Sequence, residues 1–72
     1  MIYVKKILSP DWNNYKYSIP YSEHQVEQPY ARFYEKTIEG DYLEIPINIS
    51  INENKDIVLH NNLTSEGKVE IK

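Results

Sequence analysis

The sequence predicts an α+β fold, in which a small antiparallel sheet of about five strands is combined with one helix near residues 22–39. Over residues 43–51, apolar and polar residues alternate, which is the period of a strand with one apolar face. Between residues 26 and 38, apolar residues recur instead at the spacings of three and four that mark a helix. An all-β small barrel is the alternative, because the same residues also suit sheets.

Two strands separated by a turn are predicted in the first part of the chain. Residues 2–8 are rich in β-branched and aromatic residues, which favour a strand. Pro10 then suits a type I turn or a short helical turn. Residues 15–21 alternate again, and this strand should end at Pro20 or lie at a sheet edge, because proline has no N–H to donate to a neighbouring strand.

The helix prediction concerns a segment that also admits a strand. Ser22 can cap a helix, and Gly40 is suited to its end. Pro29 divides the segment and can be the first residue of a helix over residues 29–38, or the kink in a longer helix. The competing interpretation of these residues is a strand, since Tyr, Phe, Thr and Ile favour sheets.

The rest of the chain predicts strands joined by short turns. Residues 43–51 form one long strand in this interpretation, with Pro46 at an edge or bulge. A turn is expected at residues 53–56, a strand at residues 57–59, and a reversal at residues 66–67 before the last apolar residues. Together these elements predict an antiparallel meander.

Length and composition predict a single domain spanning residues 1–72. The chain has no cysteine, which excludes disulfides and thiolate zinc sites and favours a reducing, cytoplasmic setting. Its apolar start lacks the features of a signal peptide, and no apolar run approaches the roughly 20 residues of a membrane span. We therefore expect no membrane partner.

The charge is unevenly distributed along the chain. Residues 1–36 carry five basic and four acidic residues, a net charge of 5 − 4 = +1, and residues 37–72 carry three basic and seven acidic ones, a net charge of 3 − 7 = −4. The aromatic half is thus near neutral and the aliphatic half acidic. Such asymmetry can separate a binding surface from a solvated one.

Residues with catalytic or metal-binding patterns are sparse. The two histidines, His24 and His60, have no metal-ligand spacing, and two glycines cannot build a phosphate-binding loop. We expect no enzyme, metal or cofactor. A less favoured interpretation is a small metal-independent ribonuclease, with an acid/base cluster of His24, Glu27, Arg32 and the neighbouring tyrosines. In such a cluster a base takes the proton of the RNA 2′-hydroxyl and arginine stabilises the phosphorane.

Tyrosines carry the main functional signal. Eighteen Ile, Leu and Val residues nearly supply a core for a chain of this size, and nine aromatic residues, seven of them tyrosine, are added to these. Several tyrosines should therefore reach the surface, where they can bind a partner through large, stiff contact areas. The predicted partner-binding residues are Trp12, Tyr15, Tyr17, Tyr21, Tyr30, Arg32 and Tyr34.

The preferred function is a small intracellular module that binds another protein, as an inhibitor or regulator. The Asn, Ile and Lys usage resembles that of phage and mobile-element accessory proteins in low-GC bacteria. The alternative is stacking on single-stranded nucleic acid, although the net charge of −3 argues against it. A third hypothesis is that the acidic half imitates DNA phosphates. Separately, two copies of the chain could pair at a sheet edge and form a homodimer.

Overall fold

In the computed structural model, residues 2–72 form seven strands arranged in two antiparallel sheets. A 3₁₀ turn at Ser9–Asp11 follows the first strand, and a one-turn helix, α1, spans Tyr21–His24. The strands are β1 (Tyr3–Ile7), β2 (Lys16–Ile19), β3 (Ala31–Lys36), β4 (Tyr42–Glu44), β5 (Asn48–Ile51), β6 (Ile57–His60) and β7 (Gly67–Ile71).

The strand order brings distant parts of the chain together. The four-stranded sheet has the order β1-β7-β3-β4, and the three-stranded sheet has the order β2-β6-β5. Strand β7, from the end of the described chain, lies between β1 and β3, so that Glu70 is opposite Val4 on one side and Arg32 on the other. The four-stranded sheet therefore depends on contacts between the first and last strands.

The inward faces of the two sheets share one core. Inward residues of β1, β3 and β7 pack with those of β2 and β6, as in other structures with two packed layers. Trp12 joins this core, where its ring meets Phe33 edge to face at 5.7 Å and its Nε1 donates a hydrogen bond to the Ser65 carbonyl at 2.7 Å. The buried apolar residues are Ile7, Trp12, Ile19, Phe33, Ile57, Leu59, Val69 and Ile71.

The predicted helix near residues 22–39 is wrong except for the single turn α1. Residues Ala31–Lys36 form strand β3, which pairs with β7 on one side and β4 on the other. Aromatic residues lie on both faces of this strand, with Phe33 in the core and Tyr34 outside, and their combined spacing imitates a helical stripe. Gly40 has φ +92° in the β3–β4 turn, a conformation that glycine adopts readily, and it does not end a helix.

The predicted long strand over residues 43–51 is also wrong. Strand β4 belongs to the four-stranded sheet and β5 to the three-stranded sheet, and residues 45–47 cross between them. Pro46 lies at this crossing, where no ladder hydrogen bond is required of it. Ile45, Ile47 and Ile49 still pack against the core, which accounts for the regular alternation across the crossing.

The reversal predicted at residues 66–67 is wrong, because Gly67 begins strand β7. A β-carbon at this position would collide with the Tyr34 carbonyl oxygen of the neighbouring strand. Glycine is required here by the close approach of two backbones, and not by a turn.

The coarser features of the prediction are confirmed. The described chain is mostly antiparallel sheet, with strands at Tyr3–Ile7, Lys16–Ile19 and Ile57–His60 and a helical turn at Pro10. The structure has more than the expected five strands, and no ladder joins the two sheets within residues 2–72, so they do not close into a small barrel.

Candidate functional site

The outer face of the four-stranded sheet carries a group of tyrosines and basic residues that we call the tyrosine face. Its members are Tyr30, Arg32, Tyr34, Tyr42 and Lys68. Side chains alternate across a strand, so the burial of Phe33 and Val69 turns their neighbours in sequence outward. In the register of the sheet, Lys68 is opposite Tyr34.

Cations and aromatic rings alternate along this face. The Arg32 guanidinium lies 5.4 Å from the ring centre of Tyr30. The Lys68 ammonium lies 5.4 Å from the ring of Tyr34 and 4.6 Å from that of Tyr42. These are the distances of cation–π contacts, which orient the basic side chains over the tyrosine rings.

Arg32 is held on this face by several neighbours. Its Nε atom is buried without a hydrogen-bond partner in residues 2–72, and it lies 4.0 Å from Oε2 of Glu44. The hydroxyl of Tyr34, then that of Tyr30 and the Glu44 carboxylate, raise the pKa of Arg32. The guanidinium therefore stays charged, and its half-exposed side chain leaves further N–H donors within reach of a partner.

The outer face of the four-stranded sheet has a charge opposite to that of the chain. Its strands direct four basic residues outward, Lys6, Arg32, Lys36 and Lys68, and two acidic ones, Glu44 and Glu70. The local balance is therefore 4 − 2 = +2, whereas the whole chain carries −3. The outer face of the four-stranded sheet is therefore a positive surface that also carries tyrosines.

The residues predicted to bind a partner do not form one surface. Trp12 is only 7% exposed and belongs to the core, so its assignment to the surface is wrong. Tyr17 is half-buried, with its ring 6.3 Å from that of Trp12, and burial followed by the charge of Asp11 raises its pKa. Tyr15 is exposed in the turn just before β2, a strand of the three-stranded sheet. Of the predicted set, Tyr30, Arg32 and Tyr34 share the tyrosine face.

Tyr21, the first residue of α1, belongs to a separate polar cluster. Its hydroxyl donates to Glu27, which also pairs with Lys55 at 2.5 Å, and the Lys55 ammonium lies 5.6 Å from the Tyr21 ring. The hydrogen bond from Lys55, then that from Tyr21, lowers the pKa of Glu27, and Glu27 in turn raises the pKa of both partners. The polar groups of this cluster bind each other, so it is a weaker candidate for a binding site.

His24 is buried and serves the fold. Its Nδ1 accepts the Val26 N–H at 3.0 Å, which places the ring proton on Nε2, and Nε2 donates to the Lys55 carbonyl at 2.7 Å. With 2% of its surface exposed, His24 cannot reach a substrate. Arg32 lies on the tyrosine face, and Glu27 is bound by Lys55, so the structure does not assemble the ribonuclease cluster.

His60 lies on the outer face of the three-stranded sheet. Its Nε2 is 3.1 Å from the hydroxyl of Ser50 on the neighbouring strand, beside a shallow cleft of about 230 Å³. The cleft is lined by Pro46, Ile47, Asn48, His60, Asn61 and Asn62.

Within residues 2–72, no three His, Asp or Glu side chains are grouped so that they could hold a metal ion. No helix in this range has the length and apolar character required to cross a membrane.

Comparison with protein-family models, curated proteins and solved structures finds no match to this chain.

Sequence reasoning missed Tyr42 and Lys68. Nothing near Lys68 in sequence marks it as part of an aromatic group, because its aromatic neighbours are on other strands. Lys68 meets Tyr34 and Tyr42 only because β7 pairs with β3 and β3 pairs with β4. Outward alternation in each strand was a usable signal, but the order of the strands was needed to combine them.

Proposed function

We propose that this chain is a protein-binding module that inhibits or regulates another protein, and that the tyrosine face is its binding surface. The observation that supports it is the exposure of Tyr30 (59%) and Tyr42 (37%) on one sheet face that also holds Arg32 and Lys68 over tyrosine rings. Tyrosine and arginine are among the residues enriched where proteins bind each other.

The sheet supports binding by holding these side chains in place before a partner arrives. Tyr34 lies on β3, which has a neighbouring strand on both sides, and Lys68 lies on the central strand β7. Cation–π contacts restrict Arg32 and Lys68 further. Less conformational freedom is then lost on binding, which leaves more of the contact energy as affinity.

Charge indicates the chemistry of the partner surface. The local charge of +2 on the outer face favours a partner that presents acidic side chains. Glu44 and Glu70 lie among the basic residues of this face, and Glu44 is close to Arg32. A mixture of both signs suits a protein surface, whose charges can be matched one by one, better than a uniform row of phosphates.

Single-stranded nucleic acid is the second candidate, and one observation favours it. Tyrosines and cations alternate on the face in the order Tyr30, Arg32, Tyr34, Lys68, Tyr42, which would allow bases to stack while phosphates meet the cations. The carboxylates on the same face and the acidic chain as a whole oppose this candidate.

We further propose a cytoplasmic setting and an accessory role in a phage or mobile element. The absence of cysteine supports the first, and the Asn, Ile and Lys usage supports the second.

The test is affinity capture from a low-GC bacterial lysate with three forms of the chain. The variant Tyr30→Ala/Tyr42→Ala removes two exposed rings from the tyrosine face. The matched control is Tyr15→Ala, because Tyr15 is 55% exposed but lies in the turn before β2, a strand of the other sheet. Each form is used with and without nuclease, and circular dichroism checks that each is folded.

We expect the same protein to be captured by the unchanged chain and by Tyr15→Ala, with and without nuclease, and to be lost with the double variant. Capture that persists with a folded double variant would contradict the assignment of the face. Recovery of nucleic acid, with loss of the protein after nuclease, would favour the second candidate, and a direct titration with a single-stranded oligonucleotide at several salt concentrations would then measure it.

A further inference from the structure

Strand β5 differs from the other exposed sheet edges in its charge. The described strands leave four edges, at β1 and β4 of one sheet and at β2 and β5 of the other. Three of these edge strands carry charged residues, which oppose pairing with another chain: Lys5 and Lys6 in β1, Glu44 in β4, and Lys16 in β2. Strand β5, with the sequence Asn-Ile-Ser-Ile, has none.

The hydrogen-bond register leaves backbone groups of β5 free to pair. Just beyond the strand, the Asn52 N–H donates to the Asp56 carbonyl at 3.1 Å. Asn52 and Asp56 are therefore a hydrogen-bonded pair. Because every second pair of an antiparallel ladder is hydrogen-bonded, the next such pairs are Ser50 with Val58 and Asn48 with His60. The N–H and carbonyl groups of Ile49 and Ile51 therefore point away from the sheet.

The side chains of β5 continue the apolar layer to this edge. Ile49 packs against the core, and Ile51, two residues further on, lies on the same face of the strand and is 46% exposed. Ser50 lies on the opposite, polar face, where its hydroxyl meets His60. A strand that adds here would cover Ile51 on one face and meet only neutral polar groups on the other.

We propose that the occupant of this edge is a second copy of the chain, paired antiparallel through β5 about a two-fold axis at Ser50. Ile49 of each copy is then opposite Ile51 of the other, and their outward backbone groups form the new hydrogen bonds. Each Ser50 faces its equivalent, and no like charges meet. The two three-stranded sheets become one six-stranded sheet, and the tyrosine faces stay free because they lie on the other sheet.

The axis gives a sharp test, because residue 50 is the one position that faces itself. Ser50→Lys or Ser50→Glu places like charges directly opposite each other, which destabilises a strand pair. The matched control is Ser18→Lys. Ser18 on β2 and Ser50 on β5 are both opposite Val58 of the central strand β6. Sedimentation equilibrium over a wide concentration range measures the mass, and circular dichroism checks the fold of each variant.

The unchanged chain and Ser18→Lys should both reach twice the 8.6 kDa of one chain as concentration rises. Ser50→Lys and Ser50→Glu should each stay monomeric, and an equimolar mixture of the two should dimerise again. A monomeric unchanged chain at every concentration would overturn the proposal, as would a dimer that survives Ser50→Lys, a dimer lost equally in Ser18→Lys, or a mixture that stays monomeric. This test does not depend on the proposed protein-binding function.

Discussion

Some side chains join separate backbone segments through hydrogen bonds, and His24 is the clearest case. Its two ring nitrogens join the Val26 N–H, just after α1, to the Lys55 carbonyl in the β5–β6 turn. Because His24 is buried, its loss would leave both backbone groups without a partner and without water. This role requires a neutral imidazole that both donates and accepts.

We expect His24→Ala to lower the free energy of unfolding by about 2–4 kcal/mol, from the cavity and the two unpaired groups. Urea denaturation would measure it. His60→Ala is the matched control, because His60 is half-buried and its ring bonds only to the Ser50 hydroxyl among residues 2–72. In this control, the free energy of unfolding should fall by less than about 1 kcal/mol. Equal losses for the two variants would show that His24 does not have the structural role assigned to it.

Secondary-structure elements are connected by charged groups as well as by the core. The carboxylate of Asp56, next to β6, accepts the Tyr21 N–H at the start of α1 at 2.8 Å and the Asn52 side-chain amide at 3.2 Å. The hydrogen bond from the Tyr21 backbone, then that from Asn52, lowers the pKa of Asp56. Helix α1 is a single turn and depends on such contacts, because one turn is unstable alone.

The lowered pKa of Asp56 predicts a pH dependence of stability. A carboxylate with a lower pKa in the folded state stabilises that state above its unfolded pKa of about 3.9, and this stabilisation disappears as pH falls through the folded pKa. Asp56→Asn should therefore lower the free energy of unfolding at neutral pH, and the difference from the unchanged chain should shrink below about pH 4.

Denaturation series between about pH 7 and about pH 3 would measure the two unfolding curves. Glu53→Gln is a suitable control, because it makes the same change of charge in the same turn, and Glu53 has no hydrogen bond to α1 within residues 2–72. If Asp56→Asn lowered the free energy of unfolding by the same amount at every pH in this range, the role of the ionised carboxylate would be contradicted.

Pairing between strands also determines which face of β3 each aromatic residue occupies. The composition of residues 30–38 suits both a helix and a strand, and the local pattern does not separate them. Pairing with β7 and β4 provides hydrogen bonds on both sides of β3, and it places Phe33 in the core and Tyr34 on the tyrosine face. The strand thus forms because of neighbours that are distant in sequence.

The whole molecule is organised around two central strands, β7 and β6. Amides of β7 should exchange with solvent most slowly and those of the edge strand β4 much faster, because a central strand opens only when its sheet opens. Hydrogen exchange followed by NMR would measure this order at low protein concentration. Comparable protection of β4 and β7 would contradict it. In the proposed dimer, the amides of Ile49 and Ile51 should become more protected as concentration rises.

Local patterns in the sequence identified β1, β2, β6 and the turn at Pro10, because alternation and turn chemistry act between residues close in the chain. They also indicated that tyrosines exceed what the core requires. Tertiary structure decided which ones are exposed: Trp12 is buried by both sheets, whereas Tyr42 meets Lys68 through a strand pairing across the chain. Strand order depends on the packing of the complete core, and no local pattern encodes it, so the tyrosine face and the uncharged β5 edge emerge only in the folded molecule.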